Sequence, residues 1–337
     1  MQGSTTLLSE IGSIEKDTVV KLERYDVHTV KDLFSKTVWD LQEMMDVSMT
    51  DVTRLLVCVG NLVAPTPVTA RSLLERPEGC LRTLLEPLDT VIEGGVQAGG
   101  ITEVVGPAGL GKTQFCLGMC VVGCLDRLAC KGRVLYIDTE KKFSAERLSE
   151  IGLSRFPESF TERGSMDEML RRVIVQVPTT SVQLLEMLQN LQEAVIGLNI
   201  VLIVIDSIAA LARTEFGYES IAERQKLLGQ QASTLKYLAE SFHIPIIVTN
   251  QITTKIENGS SKLVAALGPM WAHAVNTRLQ LTARGDYKRS LLVSKSSFAP
   301  LVEIPYKVTM KGLEIDTSEP CTLQPVVESL RGLDALY

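Results

Sequence analysis

The stretch ITEVVGPAGLGKTQFCLGMCVV, residues 101–122, decides how the chain is read. Its centre, Gly106, Pro107, Ala108, Gly109, Leu110, Gly111, Lys112 and Thr113, fits the pattern GxxxxGK[ST]. The flanks give the pattern its weight, because an apolar β-rich run leads in and a helical run leads out. Glycines let backbone N–H groups close around phosphates, and the helix start adds positive partial charge. Lys112 then reaches the β- and γ-phosphates, the Thr113 hydroxyl ligates Mg²⁺, and Gln114 ends the binding stretch. ATP and Mg²⁺ are the expected ligands.

On either side of this loop, from Leu84 onward, β-rich runs alternate with helical patterns: RVLYID, RRVIVQV, IVLIVID and IPIIVTN, with helices from Lys112, Ser144 and Ser181 and around Ala222 to Phe242. Continuous apolar strands between helices predict an α/β core with a mostly parallel sheet covered on both faces. The later runs TRLQLTA, SLLVSK and IPYKVTM alternate more, as antiparallel hairpins added to one edge would. The apolar stretch from Gly197 to Ala212 reads as a buried strand entering a loop.

Three further positions carry chemistry. Asp206 ends IVLIVID, where ligands of an open sheet bind, and reads as the Mg²⁺-associated acid; a helix N-cap formed by it or by Ser207 is the other reading. Glu140 closes LYIDTE and can orient water for in-line attack on a γ-phosphate, or can serve a surface salt bridge. Asn250-Gln251 ends IPIIVTNQ, and its amide can sense the γ-phosphate ahead of ITTKIENGSSKL, a segment of loop composition suited to a switch or to a plain solvated connection.

Residues 7–63 read as short amphipathic helices with Thr29, Thr37 and Ser48 as N-caps. Pro65 and Pro67 then disfavour helix. The expected organisation is a helical domain over 1–64, a linker over 65–82, a core over 83–317 and a tail over 318–337. Of the seven cysteines, Cys116, Cys120 and Cys124 share one helix face and read as packing residues. His28, His243 and His273 form no ligand or triad motif. A net charge of −6 argues against coating nucleic acid with the whole surface, so any DNA contact must be local. Neither signal peptide nor membrane span is expected.

The order GPAGLGKTQ, YIDTE, FSAERL, LIVIDS, LKYLAE, VTNQ and AxxVNTRLxL resembles the eukaryotic RecA-like recombinase family from about Leu85 to Leu313. The phrases SAERLSEIGLSRFP, SFHIPIIVTNQIT and VAALGPMWAHAVNTRL look most like its B-type paralogue branch, whose members are mediator subunits. The resemblance implies a RecA-like P-loop ATPase core behind a helix-hairpin-helix-like N-terminal domain, with ATP between neighbouring protomers. It implies a DNA-dependent ATPase in homologous recombination and double-strand break repair, located in the nucleus. Other recombinase-paralogue subunits and single-stranded or branched DNA are the implied partners. On matching positions it makes Lys112, Glu140 and Gln251 catalytic, Thr113 and Asp206 metal-associated, and Arg147 the residue that stacks on adenine.

The resemblance further implies that two loops approach DNA: 213–228 with Arg213, Arg224 and Lys226, and 253–263 with Lys255 and Lys262. Lys295, in SKSSFAP, resembles a lysine that bacterial RecA extends to a neighbour's phosphates; a solvated lysine is the equal alternative. The linker APTPVTARSLLE lacks the Phe-x-x-Ala hook of filament-forming relatives, and the second DNA segment has no aromatic for base stacking, so weak or partner-assisted DNA binding is expected. Two rival classes remain open: a scaffold using ATP as interface glue, and a RecA-like helicase motor. A small-molecule kinase would need an arginine-bearing lid, for which the sequence offers no compact candidate.

Overall fold

The computed structural model describes residues 6–64, 67–74, 79–126, 132–216, 220–257, 260–265, 267–285 and 288–321. The chain divides into two compact units, Met1–Pro77 and Glu78–Tyr337.

In the first unit the helices Lys16–Glu23, Val30–Ser35, Val38–Met45 and Met49–Val63 bury Leu22, Leu33, Leu41, Val52 and Val59 against one another. Local chemistry sets where they start. The hydroxyls of Thr29 and Thr37 accept from the N–H three residues on at 3.1 and 3.2 Å. Asp32 and Asp40 accept in return from the cap N–H at 2.9 and 3.0 Å, closing two capping boxes. Ser48 caps the longest helix through the Asp51 N–H at 3.2 Å. Within the expected linker, Ala70–Leu74 is helical and Cys80–Leu81 pairs with Val96–Gln97.

The second unit is built on one nine-stranded sheet. Its strands are β1 (Ile101–Val105), β2 (Arg133–Asp138), β3 (Val173–Gln176), β4 (Ile200–Asp206), β5 (Ile246–Asn250), β6 (Thr277–Arg284), β7 (Lys288–Lys295), β8 (Glu303–Thr309) and β9 (Gly312–Ile315). They lie in the order β9-β8-β7-β6-β1-β5-β4-β2-β3. Pairing is parallel from β6 through β3 and antiparallel from β6 out to β9, so the alternating late strands do form the edge meander.

The helices that position the site are α1 (Lys112–Asp126), α2 (Ala145–Arg155), α3 (Ser181–Gln189), α4 (Ile208–Glu215), α5 (Ile221–Phe242) and α6 (Gly268–Ala274). Strand alternation sorts the core into two layers. Val134, Tyr136, Leu202 and Val204 pack with α1 on one face, while Leu135, Ile137, Ile203 and Ile205 pack with α3, α4 and α5 on the other. Cys116, Cys120 and Cys124 lie buried in the first layer, and burial pushes all three thiols up, Cys124 to about 12. They are packing residues.

Three expectations are corrected. The chain after Asp206 enters α4 rather than a loop, because Ile208, Ala209, Leu211 and Ala212 recur at helical spacing and bury against the sheet. Arg224 and Lys226 consequently lie on α5, not in a loop. The ITTKIENGSSKL segment forms an antiparallel hairpin, Ile252–Glu257 with Ser260–Ala265, favoured by β-branched Ile252, Thr253, Thr254 and Ile256. No helix among the described residues is long and apolar enough to cross a membrane.

Candidate functional site

Parallel pairing of β1, β5, β4 and β2 brings their carboxyl ends to one edge of the sheet, with Asp138 opposite Asp206 and Val105 opposite Asn250. The Gly106–Thr113 loop leaves β1 at this edge and feeds α1. Gly109 and Gly111 adopt φ of +81° and +101°, which β-carbons disfavour, and a Cβ built on Gly109 would meet nothing within 4 Å. That open turn leaves room for a phosphate beside the loop. Lys112 Nζ donates to the carbonyls of Gly106 and Pro107 at 2.7 and 2.9 Å. Burial lowers the affinity of this ammonium for its proton, against the pull of Asp206 and Glu140.

Asp206 gathers hydroxyls from three elements. Thr113 Oγ1 donates to Oδ2 at 2.6 Å, the Tyr136 hydroxyl donates to the same oxygen at 2.8 Å, and Thr249 Oγ1 donates to Oδ1 at 2.5 Å. A carboxylate held against the loop threonine is a hard-oxygen pair suited to Mg²⁺. Of the two N-cap candidates, Ser207 takes the N-cap position of α4, without a side-chain cap bond, whereas Asp206 accepts from Thr113.

Glu140 stands beside it. Its Oε1 accepts from Ser207 Oγ at 2.8 Å and from Gln251 Nε2 at 3.2 Å, and its Oε2 accepts from Lys142 Nζ. Burial on its own would raise the Glu140 carboxyl, but the hydrogen bonds from Lys142 and Ser207, the Lys142 charge and the Gln251 amide outweigh it and hold the group below its ordinary range. The Gln251 N–H donates to Asn250 Oδ1 at 2.7 Å, and Asn250 Nδ2 donates to Glu103 Oε1 at 2.7 Å, so the side chains lock the turn after β5.

Lys112, Thr113, Glu140, Asp206 and Gln251 are thus assembled at one edge. The other expected residues make the following contacts. Arg147 donates to Gln114 Oε1 at 2.7 Å, to the carbonyls of Thr309 at 2.5 Å and Met310 at 3.3 Å, and pairs with Glu150, which ties α2 to the end of β8. Lys295 Nζ donates to Ala272 O at 2.7 Å and Val275 O at 2.5 Å, satisfying the C-terminal carbonyls of α6. Arg213 donates to Gln251 Oε1 and so joins the nucleotide cluster. Register sets Lys255 opposite Lys262 in the hairpin; their side chains lie outside the described residues.

Tyr136, Thr249, Ser207, Lys142 and Glu103 were missed from sequence. Glu103 did carry a signal, as a charge inside the otherwise apolar or β-branched run ITEVV.

Residues 79–316 match the family described as Rad51, and residues 8–61 match the XRCC3/RpoA-like helix-hairpin-helix domain. The chain belongs to the Rad51 family. Among Rad51-family relatives, the protein named DNA repair protein RAD51 homolog 2 of Homo sapiens is 34% identical over 94% of this chain and 90% of its own length. Its Arabidopsis thaliana counterpart is 36% identical over 92% and 90% respectively. DNA repair protein RAD51 of Saccharomyces cerevisiae is 30% identical over 90% of this chain and 76% of its own. The Rad51-family resemblance, the B-type paralogue branch and the N-terminal helix-hairpin-helix domain read from the motifs are all borne out.

Proposed function

We propose that this chain is an ATP-binding, DNA-dependent ATPase subunit of a recombinase-paralogue complex, working in homologous recombination and DNA repair in the nucleus. The observation that carries the reading is the convergence of the Gly106–Thr113 loop, Asp206, Glu140 and Gln251 at one sheet edge. The loop N–H groups and Lys112 bind the triphosphate, and Thr113 with Asp206 holds Mg²⁺. Bound there, the metal supplies charge neutralisation on the phosphate oxygens. Glu140, kept ionised, accepts a proton from the water whose oxygen attacks the γ-phosphorus; the bond to the β–γ bridging oxygen breaks and leaves ADP and phosphate. Gln251 links this carboxylate to the hairpin that follows it, so the strand-binding candidates Lys255 and Lys262 adjoin the catalytic residues in sequence. Paired like charges on one hairpin are an arrangement that a polyanionic strand stabilises. Paralogous subunits are the expected partners, as the RAD51 homolog 2 relatives suggest.

A second reading, ATP as interface glue with slow turnover, draws on the engagement of both Glu140 oxygens. ATP turnover by the full chain with and without single-stranded DNA, at fixed salt, separates the two. Stimulation by DNA that Lys112→Ala and Glu140→Gln abolish supports the motor. ATP binding without turnover points instead to the glue or to a site that another subunit completes.

A further inference from the structure

The turn after β2 presents a lysine directly to the proposed catalytic carboxylate. Lys142 Nζ donates to Glu140 Oε2. The Lys142 side chain is 65% exposed whereas that of Glu140 is only 17% exposed, so a solvent-borne arm reaches onto an anchored acid. Glu140 does not need Lys142 for its position, because Ser207 and Gln251 already fix its other oxygen.

The backbone around Lys142 is held on both sides. Asp138 Oδ1 accepts from the Glu140 N–H at 3.1 Å and Asp138 Oδ2 from the Phe143 N–H at 2.7 Å, wrapping the turn around one buried carboxylate. Phe143 also packs edge-on against Tyr136, with ring centroids 4.9 Å apart. Lys141 takes φ +56° inside the turn. The exposed Lys142 side chain can swing about a base that is fixed. Its surroundings are those of the phosphate site, since it senses the charges of Glu140, Asp206 and Asp138, and Lys112 senses it in turn.

The neighbouring cations are differently committed. Lys295 satisfies the end of α6, Arg213 holds the Gln251 oxygen, and Arg147 holds the turn after β8. Lys142 instead occupies the carboxylate that hydrolysis needs unencumbered. A terminal phosphate carries more negative charge than a carboxylate and offers more acceptor oxygens, so it outcompetes Glu140 for the ammonium.

We propose that Lys142 is a second phosphate-binding lysine of this chain, which leaves Glu140 for the γ-phosphate of a bound nucleoside triphosphate and frees Glu140 Oε2 to receive a water molecule. The proposal rests on the nucleotide reading above and adds to it a recognition element for the γ-phosphate supplied in cis.

The test uses the full chain, Mg²⁺, ADP and a non-hydrolysable ATP analogue, with affinities from titration calorimetry. The wild-type chain is expected to prefer the triphosphate. Lys142→Ala should weaken analogue binding about tenfold or more, the scale of one charge-assisted hydrogen bond, while ADP affinity stays within about twofold. Lys142→Arg should keep the preference. Analogue affinity unchanged in Lys142→Ala, or both nucleotides weakened alike, overturns the assignment while leaving the nucleotide site standing. A wild-type chain that binds neither nucleotide overturns the nucleotide reading and this inference together. Unchanged thermal melting of Lys142→Ala confirms that the comparison is between folded proteins.

Discussion

Replacing Glu103 by glutamine changes one heavy atom, yet it should be among the most destabilising conservative substitutions in the molecule. Glu103 sits in the middle of β1 with no exposed surface, and Arg278, its partner on the adjacent β6, is 3% exposed. Glu103 Oε2 accepts from Arg278 Nε at 2.5 Å, and Oε1 accepts from Asn250 Nδ2 at 2.7 Å and from Trp271 Nε1 at 2.8 Å. All three donors need acceptors, whereas glutamine offers one oxygen and one NH₂ group. The guanidinium would lose its counter-charge while already carrying a buried Nη2 with no hydrogen-bond partner among the described residues. Breaking a buried pair from one side costs about 3–5 kcal/mol. Against a typical domain stability of about 5–15 kcal/mol, that is a large fraction.

With a urea m-value of about 3 kcal/mol/M, the unfolding midpoint of the second unit should fall by about 1–2 M without a change in slope. Tryptophan fluorescence reads this unit cleanly. The chain has two tryptophans, and Trp271 is buried at 2% exposure whereas Trp39, in the first unit, is 73% exposed. A Trp39→Phe background therefore isolates the signal. The double variant Glu103→Gln/Arg278→Met should regain much of the loss, because an apolar replacement removes the stranded charge. A Glu103→Gln midpoint within about 0.3 M of the parent would refute the claim that this pair is electrostatically isolated from solvent.

Three further outcomes are expected. Acidification should loosen the first unit early: Thr29, Thr37 and Ser48 hydrogen bonds lower the carboxyls of Asp32, Asp40 and Asp51, so their contribution is full above about pH 4 and lost as pH falls through the lowered folded values. Circular dichroism of Thr29→Ala/Thr37→Ala should show weaker helix at neutral pH and a flatter acid limb; an unchanged acid limb would contradict the linkage. Lys295→Met should cost about 1–3 kcal/mol by stranding the Ala272 and Val275 carbonyls, read as a lower melting temperature, and loss of assembly-dependent hydrolysis without that drop would instead favour its trans-acting role. Lys255→Ala/Lys262→Ala should weaken single-strand affinity and reduce the salt slope by about 1.4, two phosphates' worth; an unchanged slope removes the hairpin from the DNA site.

What could be read from sequence follows the range of the interactions involved. The phosphate loop, the capping boxes and the apolar strands are written in neighbouring residues. Thr29 with Asp32, or Gly106 through Thr113, needs no knowledge of the rest of the chain. The α/β class was legible for the same reason, because apolar runs and helical spacing are local patterns. Strand order was not. That β1 lies between β5 and β6, far from both in sequence, is decided by how whole layers pack, and this is what carries Asn250 and Trp271 to Glu103. The convergence of Glu140, Asp206 and Gln251 was legible because each sits at or just past the carboxyl end of a recognisable strand, where parallel topology alone brings side chains together.

Contacts that depend on what lies across the sheet are not written in neighbouring residues. Arg213, which the resemblance places in a DNA-approaching loop, also donates to Gln251, because the sheet order that puts β5 beside β4 brings that side chain within its reach. Lys295 looked available because its neighbours in sequence are small and polar, but the acceptor that engages it is the end of α6, some twenty residues upstream. The same logic bears on Lys142. Its contact with Glu140 spans two residues and was visible in principle, but its meaning depends on Ser207 and Gln251 having already fixed the other carboxylate oxygen, which only the assembled sheet supplies. A cation that is redundant for placing the acid is free to answer to the nucleotide, and that redundancy distinguishes Lys142 from every lysine and arginine around it whose hydrogen bonds hold up the fold.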